Sequence, residues 1–316
     1  MKNHKKEDTP HLLGQGTYGC VYHPGINCNH KPLNAKYVTK IHSSEEKTIQ
    51  NEIAISKKIQ TITNYELYFS PILENCDVNL AKVDKEEVEK CDFVKKDIEE
   101  KKRITYISSK IRFIEGKSLM EYVQKNTKYS IISFLYKTLC ENVKKMAEKN
   151  IVHYDLKENN IIVSKKGVPV IIDFGISIDF SNRPNKSFLK NAFYAFTTKY
   201  KPWCIEIVLI CYIVEYTDIT SDKIMEIFDE VMEYNKFAET PYLKDDFSAY
   251  REKFKTEVSR KPQEELLEHL LSTYKRWDLY SITILLMQML ETTNHPPDKT
   301  HVKQIKEHLG FYTFAH

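Results

Sequence analysis

Two short apolar runs, Asn160 to Val163 and Val168 to Ile172, are joined by Ser164-Lys165-Lys166-Gly167 and bracketed by polar clusters. His153-Tyr154-Asp155-Leu156-Lys157 precedes them and Asp173-Phe174-Gly175 follows. No other feature constrains the chain as tightly. Apolar runs of this length around a glycine-containing turn read as paired strands. Asp155, Asn160 and Asp173 could be ordinary turn residues, but three such groups at fixed spacing beside apolar strands need a chemical reason to be there.

Glycine is scarce, with 8 in 316 residues, about 2.5 % against roughly 7 % in average proteins. Three of the eight crowd into Leu13-Gly14-Gln15-Gly16-Thr17-Tyr18-Gly19-Cys20-Val21. Without a Cβ, such a run lets backbone approach phosphates closely. A dinucleotide fold would open a helix inside the glycine run. Here Cys20-Val21-Tyr22 continues as strand, which favours a glycine hairpin lying over a nucleotide. With 41 % apolar and 12 % aromatic residues, the chain can bury a sizeable core, and collagen-like or linker sequence is excluded.

A formal charge of +3 gives no mandate for a nucleic-acid partner. The most apolar stretch, Trp203 to Tyr216, is too short to span a bilayer. The basic start is not followed by an apolar segment, so no secretory signal is expected. These features predict a soluble, cytoplasmic protein in a reducing compartment. The 7 cysteines form no CxxC pair, and an odd number argues against a disulfide framework. The only metal-like cluster, His23, Cys28 and His30, matches no usual ligand spacing and reads more plainly as a polar hairpin loop.

Along the chain, Leu12 to Ala81 reads as extended runs plus one helix from about Glu45 to Ile59. Residues 82–103 are dominated by charges of mixed sign, with Val88, Phe93 and Ile98 about five apart, and predict a solvated insertion or a charged helix. Ile104 to Ile114 resembles a strand, and Glu115-Gly116-Lys117-Ser118 a turn into a helix at Leu119 to Gln124. Ile131 to Lys149 has helical periodicity. From Trp203 onward the chain is almost wholly helical, broken near Pro241, Pro262 and Pro296-Pro297. A small β-rich half is followed by a larger helical one.

The glycine run, the His153-x-Asp155-x-x-x-x-Asn160 loop and Asp173-Phe174-Gly175, in that order, resemble the eukaryotic protein kinase family. The resemblance implies an α+β bilobal fold, with a tail at 1–9 and a catalytic domain at 10–316. Its N-lobe would span 10–114 with the charged insertion at 82–103, and its C-lobe 115–316 with a helical insertion at 204–276. ATP and Mg2+ would be the cofactors. Leu13, Gly14, Gln15, Gly16, Thr17, Tyr18, Gly19, Cys20 and Val21 would cover the phosphates. Lys40, in Tyr37-Val38-Thr39-Lys40-Ile41, would orient them, braced by Glu52, because Glu45 and Glu46 follow the strand too soon. Asn160 and Asp173 would hold the metal, and Asp155 would accept the proton of a substrate hydroxyl. Lys157 is the lysine typical of Ser/Thr-specific members, which implies Ser/Thr residues of proteins as substrates. Ile111 would stand at the adenine pocket with Arg112 to Ile114 as hinge.

The sequence also departs from the family. Tyr154 stands where many members carry an arginine that grips a phosphorylated activation loop, which implies activity without that modification. Ser177, Ser181, Ser187, Thr197 and Thr198 nevertheless offer hydroxyls. Tyr200-Lys201-Pro202-Trp203 replaces Ala-Pro-Glu and puts the usual closing ion pair in doubt. Trp277-Asp278-Leu279-Tyr280-Ser281 resembles the helix whose aspartate anchors the catalytic loop, but it comes unusually late. Such a rebuilt C-lobe resembles divergent protein kinases of large cytoplasmic DNA viruses. A pseudokinase scaffold and a small-molecule kinase are the alternatives. Physiological substrate and oligomeric state have no signature in the sequence.

Overall fold

The computed structural model describes residues 10–16, 19–29, 31–43, 47–80, 85–101, 105–216, 219–258 and 261–311. The chain divides into two compact units, Met1–Lys117 with Ile162–Ser177, and Ser118–Ile161 with Ile178–His316.

The first unit opens with β1 (His11–Gly16), β2 (Gly19–His23), β3 (Tyr37–Ser43), α1 (Lys47–Ile59), β4 (Phe69–Ser70) and β5 (Ile72–Val78). Then come α2 (Lys85–Val88), α3 (Asp92–Glu99) and β6 (Tyr106–Arg112). Five strands form one antiparallel sheet in the order β1-β2-β3-β6-β5. Val38 to His42 of β3 are all buried, which follows when both faces of a strand are covered. On one face Ile49 of α1 packs with Ile72 and Ile107. On the other, Cys20, Tyr22 and Ile41 share a core with Val88, Cys91 and Val94 of the α2–α3 segment.

That second packing corrects two expectations. The charged segment, read as a solvated insertion or a charged helix, is helical but not solvated all round: it buries an apolar stripe, because its few apolar residues fall at near-helical spacing while most of the charges occupy the other faces. The chain also carries disulfides, Cys20–Cys91 and Cys28–Cys76. The odd count misled because Cys140, Cys204 and Cys211 are free, buried and in the other unit, where they serve as small apolar side chains. Cys28 is thus withdrawn from the His23, Cys28, His30 cluster, whose His30 lies outside the described residues.

Past β7 (Gly116–Ser118) the chain enters the second unit through α4 (Leu119–Lys125), α5 (Tyr129–Glu148) and β8 (Ile151–Val152), then returns for β9 (Ile161–Ser164) and β10 (Pro169–Ile172). Strands β4, β10, β9 and β7 form a second sheet in that order. The predicted strand, turn and strand are present, with the Gly167 N–H donating to the Ser164 carbonyl at 2.8 Å and Gly167 at φ 79°. Gly116 is a strand residue, where a turn was expected. A Cβ there would lie 2.2 Å from the Val163 carbonyl oxygen, so close strand approach demands glycine.

The second unit continues with β11 (Ile178–Asp179), paired to β8, and α6 (Lys186–Ala192). The helical run predicted from Trp203 resolves into α7 (Ile205–Glu215), α8 (Ser221–Tyr234), α9 (Lys244–Val258), α10 (Gln263–Ser272), α11 (Trp277–Thr292) and α12 (Lys299–His308). The predicted prolines fall between these helices. α11 is buried around nearly its whole circumference, from Trp277 to Leu290, and forms the unit's centre against α5. Among the described residues no helix is long and apolar enough to cross a membrane.

Candidate active site

In the first unit, Lys40 sits mid-strand on β3, which fixes its direction toward α1 and the end of β10. Its Nζ donates to Glu52 Oε2 at 3.2 Å and to Asp173 Oδ1 at 2.8 Å. Burial draws the Lys40 ammonium down, but the Glu52 and Asp173 carboxylates outweigh it and hold the group above its ordinary value, charged. Burial pushes the Glu52 carboxyl up, opposed by Lys40. Asp173 follows β10 with φ 62°, a left-handed conformation that a non-glycine residue keeps only where its surroundings enforce it. Lys40 holds its carboxylate, and Asn51 of α1 ties the turn that follows, its Nδ2 donating to the carbonyls of Ser177 at 2.8 Å and Gly175 at 3.3 Å.

These groups lie at the floor of a cleft of about 210 Å³ contained within the first unit. Leu13, Val21, Val38, Ile111, Ile162 and Ile172 give it apolar walls, and Arg112, Phe113 and Ile114 line it too. A flat apolar slot with a charged floor fits a ligand that has a planar ring at one end and anionic groups at the other. The glycine run forms the β1–β2 hairpin, with Gly14 opposite Val21, Gln15 opposite Cys20 and Gly16 opposite Gly19. Thr17 and Tyr18 lie outside the described residues. A Cβ on Gly14 or Gly16 would meet nothing within 4 Å, so both leave open space beside the backbone. Gly19 is required for another reason: a Cβ would stand 2.6 Å from the Ile41 carbonyl oxygen of β3.

In the second unit, the loop after β8 gathers around Asp155. Lys157 Nζ donates to Asp155 Oδ2 at 3.0 Å, and Asn160 Nδ2 donates to Oδ2 at 3.0 Å and to the Asp155 carbonyl at 2.8 Å. With its nitrogen committed, Asn160 presents Oδ1, an oxygen of the kind a hard cation takes. Asp278, at the start of α11, is buried and accepts the His153 N–H at 2.7 Å and the Tyr154 N–H at 3.2 Å. Tyr154 itself has φ 71°. Its ring is buried, 4.9 Å from that of Trp203 and 5.8 Å from that of Phe193, so apolar packing occupies this position.

The contacts of two residues in the Tyr200-Lys201-Pro202-Trp203 segment escaped sequence reasoning. The Tyr200 hydroxyl donates to Asp155 Oδ1. Burial, together with Asp155 beside it, pushes the Tyr200 phenol up, so it stays protonated and donating. Trp203 stands where the ion-pairing glutamate was expected, and its Nε1 donates to the Tyr154 carbonyl at 2.9 Å, while Ser281 Oγ donates to the Pro202 carbonyl at 2.6 Å. Hydrogen bonds thus tie residues 200–203 to the loop after β8 and to α11. Neither role has a local sequence signal, since each depends on partners tens of residues away. Ser177 is buried, which removes it from the accessible hydroxyls.

Residues 8–202 match the protein kinase domain family, and the chain belongs to it. A Dictyostelium discoideum protein named as a cyclin-dependent serine/threonine-protein kinase is 26 % identical over 184 residues, 56 % of this chain and 22 % of the relative. Two others from that organism, both named as serine/threonine-protein kinases, are 25 % identical over 144 residues and 32 % over 91. These cover 41 % and 25 % of this chain, and 20 % and 19 % of the relatives. The chain therefore spans about a fifth of the length of the curated relatives it matches.

Proposed function

We propose that the chain is a protein kinase that transfers the γ-phosphate of Mg-ATP to Ser and Thr hydroxyls of proteins. The observation that carries the reading is the buried Lys40, bonded to both Glu52 and Asp173 at the floor of an apolar cleft. A cation held this way meets phosphate oxygens without reorganising, and phosphoryl transfer depends mainly on such positioning and charge stabilisation. The walls take the adenine, with the backbone of Arg112 to Ile114 as its polar edge, and the glycine hairpin covers the phosphates. Asp173 and Asn160 supply oxygen donors of the type Mg2+ prefers. Bound magnesium neutralises charge on the phosphates during transfer. Asp155 accepts the proton of the substrate hydroxyl, and Lys157 offsets charge on the transferring group.

Incubation with Mg-ATP labelled at the γ-phosphate and a mixed protein extract is expected to place label on Ser and Thr, with Asp173→Asn losing nearly all of it. Label confined to small molecules, or parent and Asp173→Asn chains of equal activity, would refute the assignment. Because Tyr154 is packed in an apolar cluster, phosphatase treatment is expected to leave the activity in place.

The Tyr200 hydroxyl occupies Asp155 Oδ1, the same carboxylate that must receive the substrate hydroxyl. Displacing a hydrogen bond to a charged group costs about 1.5–3 kcal/mol. Tyr200→Phe is therefore expected to lower the peptide KM about tenfold or more, since each 1.4 kcal/mol is tenfold, and to leave the KM for ATP unchanged. Steady-state kinetics with both substrates varied would show this. An unchanged peptide KM with a reduced kcat would instead make Tyr200 a group that positions Asp155.

A further inference from the structure

The charged α2–α3 segment reaches the glycine hairpin at four of its residues. Gln15 Nε2 donates to Asp92 Oδ2 at 2.8 Å, and the Asp92 N–H donates back to Gln15 Oε1 at 3.0 Å. The Leu12 N–H donates to Glu87 Oε2 at 3.3 Å, and the Tyr22 hydroxyl to the Glu87 carbonyl at 3.4 Å. Cys20 is joined to Cys91, the residue before Asp92, by a disulfide. The segment has its own footing on the sheet through buried Val88, Cys91 and Val94 and through buried Asp97, which accepts from the Tyr106 hydroxyl at 3.2 Å.

Gln15 lies between Gly14 and Gly16, the two glycines with open space around them. A strand end with two glycines bends easily, and each exposed hydrogen bond to Asp92 is weak in water. A covalent link one residue from Asp92 changes this, because it keeps Asp92 beside Gln15 at high effective concentration. We propose that the α2–α3 segment is a positioning element that holds the glycine hairpin at a fixed height over the cleft, through the Gln15–Asp92 pair, and that the Cys20–Cys91 disulfide makes this hold depend on thiol redox state. The inference rests on the reading that the hairpin covers ATP. Cys20 and Cys91 are buried, so release needs the α2–α3 segment to open locally as well as a dithiol as reductant. Two electrons and two protons pass to the Cys20 and Cys91 sulfurs, the bond between them breaks, and the dithiol is left as its own disulfide.

The test measures Mg-ATP affinity and steady-state kinetics for the full chain, oxidised and after dithiothreitol, with thiols counted by mass spectrometry. If reduction leaves the hairpin in its binding position about a tenth of the time, the KM for ATP rises about tenfold while kcat changes less. Cys20→Ala with Cys91→Ala is expected to show the raised KM permanently and no response to dithiol. Cys28→Ser with Cys76→Ser, which removes the exposed second disulfide, keeps the response. Asp92→Ala raises the KM and Asp92→Asn, which retains an acceptor oxygen, restores most of it. Hydrogen exchange reads the clamp independently of ATP, with amides of residues 11–23 exchanging faster once Cys20 and Cys91 are reduced. Unchanged exchange and unchanged KM in a folded, fully reduced chain would overturn the proposal. An oxidised parent chain that binds no Mg-ATP, yet shows the exchange change, would overturn the nucleotide reading while upholding the clamp.

Discussion

Asp155→Asn is expected to lower kcat for transfer to a Ser or Thr peptide by roughly 10²- to 10⁴-fold, the range for losing a positioned proton acceptor. The substitution keeps the shape of the side chain, and three donors, Lys157, Asn160 and Tyr200, surround it. An amide turns its NH2 toward at least one of those donors, so the loop pays a modest penalty while the proton acceptor is gone. Mg-ATP affinity should change less than kcat, because Lys40, Glu52 and the cleft belong to the other unit and Asn160 keeps its bond to the Asp155 carbonyl. A folded Asp155→Asn chain with parental turnover, measured by single-turnover phosphate transfer, would sink the role assigned to Asp155.

The largest effect on stability is expected at Asp278→Ala. Asp278 is buried, and its two oxygens accept the backbone N–H groups of His153 and Tyr154. Removing it strands two buried donors at about 1–3 kcal/mol each. The loss is compounded at Tyr154, whose φ of 71° persists only while surrounding contacts enforce it. Urea unfolding is expected to show a loss of about 2–6 kcal/mol, the sum of those two stranded donors. Where the variant still folds, kcat should fall as well, since the same two N–H bonds hold the residues just before Asp155. Asp278→Asn, which keeps one acceptor oxygen, should fall between the two. A variant that unfolds with the parental midpoint would show that water or a neighbour replaces the carboxylate.

The gathering of the candidate site was legible where it is local in the chain. Asp155, Lys157 and Asn160 lie within six residues of sequence and meet in one cluster, and the glycines at 14, 16 and 19 lie on the paired strands of the expected hairpin. Lys40 was legible through the family resemblance and Glu52 because Glu45 and Glu46 follow the strand too soon for a helix to swing back, and the two side chains meet at 3.2 Å. Segment 85–101 misled because its composition is dominated by the charges that face water, while three apolar side chains determine where it packs.

By itself, then, the sequence determined the order of the motifs, the β-rich and helical halves, and which short segments carry polar groups at strand ends, all properties of neighbouring residues. Only the tertiary structure decided that Cys20 meets Cys91 across 71 residues, that Trp203 bonds the Tyr154 carbonyl and that Tyr200 donates to Asp155. Those contacts join residues far apart in the chain, and no local propensity or spacing encodes them. They exist because burying α11 and the α2–α3 segment forces each polar group they enclose to find a partner.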